Sequence, residues 1–76
     1  MKDQRDLLRR RAIALRCRQR NGERLMAMHA EEAARAGREA CDILMFLDEE
    51  CPELPDDWMA IAEKKLPGGE LPWKRL

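Results

Sequence analysis

Few residues in this 76-residue chain could carry out bond chemistry, and their spacing argues against it. His29 is the only histidine, and the chain has neither Ser nor Thr. A nucleophile–base pair would therefore have to join His29 to a cysteine. Cys17, Cys41 and Cys51 are separated by 24 and 10 residues, far from the local pairs that zinc sites use. Cys17 and His29 could meet across a helical hairpin, but small apolar packing is the default use of such cysteines. There is no glycine-rich phosphate loop. Asp48, Glu49 and Glu50 form an acidic cluster without acid/base spacing. These residues predict a protein that is not an enzyme and holds no metal or cofactor.

Three groups suggest binding instead. Arg5, Arg9, Arg16 and Arg20 recur on one side of a helix, as phosphate contact requires. No interleaved aromatic and no helix-turn-helix pattern accompanies them. On a hairpin, Arg5 and Arg11 are expected near Glu39 and Glu32, which would neutralise part of the stripe. Trp73, flanked by Leu71 and Leu76, is a candidate anchor for a partner's pocket. Asp48, Glu49 and Glu50 fall at the negative end of a helix, where carboxylates are disfavoured. They call for a cationic neighbour, either Lys64 and Lys65 or a partner protein.

The elements that carry these residues are helices. Ala, Leu, Glu, Arg and Met dominate, and Ile13, Ile43 and Ile61 are the only β-branched residues. The pattern predicts an all-α fold: an antiparallel helical hairpin, a third short helix and an extended tail. The helices are expected over about 3–20, 23–50 and 55–66, a single domain over 1–66, with the tail at 67–76. Asn21-Gly22 is the favoured hairpin break, because both residues tolerate left-handed backbone. The rival is a continuous helix, since Leu8, Leu15, Gly22, His29, Ala36 and Ile43 keep a seven-residue step.

The first helix puts Leu8, Ala12 and Leu15 on one face and Ile13 and Cys17 on another, which predicts two neighbours or loose amphipathicity. The second has a clear stripe whose middle is small: Ala33, Ala36, Gly37 and Ala40. At 28 residues it would measure about 42 Å and overhang a compact globule. That length predicts a homodimer through Leu8, Leu15, Ala33, Ala36, Gly37 and Ala40. The face of the third helix that holds Trp58 and Ile61 is expected to fold onto the Ile43–Leu47 half of the second.

Charge is balanced at 15 basic and 15 acidic residues but unevenly placed. Residues 1–24 carry +6, residues 25–57 carry −8, and residues 58–76 carry +2. No apolar run approaches the ~20 residues of a membrane span, and the cysteine pattern is not a disulfide framework. A cytoplasmic protein is expected. Together these features predict a non-catalytic protein–protein interaction module, an adaptor or an inhibitor that occludes a surface of a larger protein. By analogy of type, mobile elements encode proteins of this kind. The alternative expectation is a nucleic-acid-binding regulator that uses the arginine stripe.

Overall fold

A computed structural model describes residues 4–24 and 30–67. Its described part is built from three helices: α1 (Gln4–Arg24), α2 (Ala30–Leu47) and α3 (Trp58–Glu63). Helices α1 and α2 form the antiparallel hairpin, and the fold is all-α as its composition dictates. The apolar seam between them is Leu8, Ala12 and Leu15 of α1 against Ala36, Ala40, Ile43, Leu44 and Leu47 of α2, with Leu66 packed on its edge. Ile43 and Ala40 are fully covered. The small residues of α2 let α1 approach closely, so the stripe at Ala33, Ala36, Gly37 and Ala40 is consumed within one chain.

Helix α1 has two neighbours, and this accounts for its two apolar faces. It packs on α2 along one side and on α3 along another, while α2 and α3 make no helix–helix contact. Cys17, buried opposite the Leu8–Leu15 face, lies close enough to Asp57 to feel its charge. The expectation that the third helix would pack on the Ile43–Leu47 half of α2 is thus corrected. The charged stems of α1 place it against α1 instead.

The helix ends also differ from expectation. Asn21 and Gly22 lie inside α1, which runs on to Arg24. The contact register agrees. Arg5 meets Leu47, Arg11 meets Glu39 and Gln19 meets Gly37, and each pair has its sequence midpoint between Arg24 and Ala30. A mid-helix Gly costs only about 1 kcal/mol, so Asn21-Gly22 is a weak stop. Helix α2 is correspondingly shorter, with 18 residues spanning roughly 27 Å. The overhang inferred from a 28-residue helix disappears: the radius of gyration is 12.2 Å and the extents are 38 × 28 × 22 Å.

Helix α2 stops at Leu47, before the Pro52 expected to end it. Asp48 adopts φ 56°, the left-handed conformation. Glu49 N–H donates to the Leu44 carbonyl at 2.9 Å and Asp48 N–H to that of Met45 at 3.1 Å. This pair of bonds is a Schellman cap, with aspartate where glycine is usual. Helix α3 is also shorter than the predicted 55–66. Pro67 lacks the N–H that would reach the Glu63 carbonyl, and Lys64 is already extended at ψ 158°.

Candidate interaction surfaces

The arginines of α1 are used mainly to hold the molecule together. Arg9 grips Glu49 with two bonds, Nε to Oε1 at 2.7 Å and Nη2 to Oε2 at 2.8 Å. Arg5 Nη2 lies 3.8 Å from the same carboxylate and donates to the Leu47 carbonyl at 2.7 Å. The Glu49 carboxyl is held below its ordinary pKa, first by the Arg9 hydrogen bond and then by the charges of Arg9 and Arg5. Arg11 pairs with Glu39 at 3.6 Å, not with the expected Glu32, which lies about two helical turns earlier. Arg5 lies at Leu47 and Glu49 rather than at Glu39, because the hairpin turns later than Asn21-Gly22.

The other end of α1 treats α3 in the same way. Arg18 Nη2 donates to the Lys64 carbonyl at 2.7 Å. The Arg20 guanidinium stacks over the Trp58 ring, 4.9 Å from its centre. Two helix C-termini are therefore capped by arginines from a third helix, a favourable use of cations at negative dipole ends. Composition gave no sign of this, although the misfit of an acidic cluster at the end of α2 did call for a cation. The cations are Arg9 and Arg5, not Lys64 and Lys65.

The four arginines of the nucleic-acid reading thus have other work. Arg5 and Arg9 clasp α2, Arg20 covers Trp58, and Arg16 donates to the Gln19 side chain. Of the acidic cluster, Glu49 is engaged, whereas Asp48 and Glu50 are exposed. Leu8, Leu15, Ala33, Ala36, Gly37 and Ala40 are all buried in the single chain. That placement removes them from the outer surface on which a second copy would pack. Leu71, Trp73 and Leu76 lie outside the described residues, as does His29.

A groove of about 530 Å³ runs between the hairpin and α3, floored by Leu15, Ala33, Ala36, Ala62 and Leu66, with Arg18, Arg35, Glu32 and Glu39 around it. A second, of about 520 Å³, lies between α1 and the connector, against Arg16, Arg20, Leu54 and Trp58. Among the described residues, no histidine or cysteine lines either groove. Among the described residues no group of three His, Cys, Asp or Glu side chains could hold a metal ion. None of the described helices is long and apolar enough to cross a membrane. Cys17 is buried, and burial pushes its thiol pKa up, with the Asp57 charge adding to the effect. Cys41 and Cys51 are exposed.

Among the described residues, large apolar side chains are exposed at three places: Met45 at 77%, Phe46 at 54% and Met59 at 47%. Met45 and Phe46 sit together on the last turns of α2, beside Asp42 and Asp48. Sequence reasoning passed over them because helix periodicity draws attention to the buried stripe. The signal was present in the residues left off that stripe. Comparison of the chain with protein-family models, curated proteins and solved structures gives no match.

Proposed function

We propose that this chain is a non-catalytic protein–protein interaction module, an adaptor or inhibitor that occludes a surface of a larger protein. The observation that carries this reading is the exposure of Met45, at 77%, beside the half-exposed Phe46 on the last turns of α2. A methionine is a pliable contact residue and an aromatic is a strong anchor. The acidic residues Asp42, Asp48 and Glu50 around them are exposed and suit a basic rim on the target. The internal use of Arg5, Arg9 and Arg20 withdraws support from nucleic-acid binding.

Affinity capture with the tagged chain, beside a Met45→Ser/Phe46→Ser variant, tests the reading. The wild-type chain is expected to retain a larger protein in stoichiometric amount, and the variant to lose it while keeping its helical circular dichroism. Recovery of the chain alone, or equal capture by the variant, would overturn it. A steep salt dependence of binding to generic DNA or RNA would instead reinstate the nucleic-acid alternative.

A further inference from the structure

We infer that the outer face of α2 is a self-complementary docking surface, and that its occupant is a second copy of this chain packed antiparallel across a two-fold axis. The inference goes beyond the adaptor reading: it gives Met45 a second copy as its contact, an occupant distinct from a larger target protein.

The face opposite the buried seam carries Ala34, Arg38, Cys41 and Met45, at steps of four, three and four residues, and all are exposed. This alternation is the spacing at which one helix presents a continuous line to another. Asp42 flanks the line, one turn beyond Arg38. No ion pair among the described residues engages Arg38 or Asp42.

The order of the charges selects the occupant. A two-fold axis crossing α2 at the level of Ala40 places Arg38 opposite the partner's Asp42. The same operation places Asp42 opposite the partner's Arg38, so two ion pairs form from one patch. An isologous interface requires this reciprocity. Met45 then lies over the partner's Arg35, whose aliphatic stem can cover apolar surface while its head stays in water. The small side chain at Ala34 leaves room for the bulky end of the facing helix. A parallel arrangement would set Arg38 beside the partner's Arg38 and is disfavoured by like charge. Antiparallel packing also pairs opposite helix-dipole ends.

The dimer expected from sequence is thereby moved from the small-residue stripe to the reverse side of the same helix. One helix pair is a small interface, at the low end of about 1,000 Å². Interfaces at this low end belong to weak, transient contacts, and dissociation in roughly the micromolar range is the expectation to be tested.

Charge exchange tests the geometry, because every substituted residue is exposed. Sedimentation equilibrium of the purified full chain should show a monomer–dimer equilibrium. Arg38→Asp alone and Asp42→Arg alone should each weaken association at least about tenfold, by placing like charges opposite one another. The double variant Arg38→Asp/Asp42→Arg should restore it, since the exchanged pairs face each other again. Circular dichroism confirms that each variant folds. A wild-type chain that stays monomeric at about a hundred times the micromolar range would overturn the inference. So would a dimer indifferent to the single reversals, or a double variant no better than either single one. A monomeric chain that still captures a larger protein through Met45 and Phe46 would sink the dimer and leave the interaction reading standing.

Discussion

Individual charged groups at the end of α2 set local stability in opposite directions. Glu49 is held by Arg9 and Arg5, so its folded pKa lies below the ordinary 4.5. A depressed carboxylate stabilises the fold fully above its unfolded pKa, and that contribution fades as pH falls through the folded value. Acid titration below about pH 4.5 should therefore loosen the clasp. Glu49→Gln should be less stable at neutral pH and should lose part of this acid sensitivity, as followed by thermal melts across pH. Asp48 is the opposite case. It bears a side chain in left-handed backbone and a negative charge at a negative helix end. Asp48→Gly should stabilise the protein by about 0.5–1 kcal/mol, seen as a higher urea midpoint at unchanged slope. The sequence marked this cluster as misplaced charge. It could not assign the cation, because Arg9 and Glu49 are 40 residues apart and meet only through the hairpin register.

At the scale of elements, periodicity carried the hairpin and missed its turn. The two apolar faces of α1 left two neighbours or loose amphipathicity open, and the structure supplies two neighbours; the small stripe of α2 foretold a close helix contact. Asn21-Gly22 misled because its preference for left-handed backbone is weak, a mid-helix Gly costing only about 1 kcal/mol. The same error in turn position lengthened the expected second helix and shifted every cross-hairpin pairing. Gly22→Ala tests this directly. Inside a helix the substitution should raise stability by about 0.5–1 kcal/mol, whereas at a left-handed break it would lower it. Chemical denaturation gives the sign. The short third helix was legible in kind but not in position. Its place against α1 is set by Arg18 and Arg20, and side-chain caps between helices leave no periodic trace.

For the whole molecule, small size is the governing fact. A chain of this length buries about 60% of its unfolded surface and has little stability to spare. The candidate surface was only half legible. A partner was expected because the core is small, but the stripe chosen for it proved to be the core itself. The outer line of α2 became visible only once the inner one was seen to be covered. If a second copy occupies that line, folding and association are coupled. The melting temperature should then rise with protein concentration, which differential scanning calorimetry over a hundredfold dilution would register. A concentration-independent melt would mean that the fold stands alone.

The arginine caps have a further consequence for connectivity. Helix α1 holds the last turn of α2 through Arg5 and Arg9, and it holds α3 through Arg18 and Arg20. Both ends of the Asp48–Asp57 connector are thus fastened to the same helix, independently of the peptide bonds between them. A cut in that connector would leave two fragments whose mutual grip is already in place. The molecule is in this sense divisible there, with α1 serving as the splint that keeps the severed halves in register.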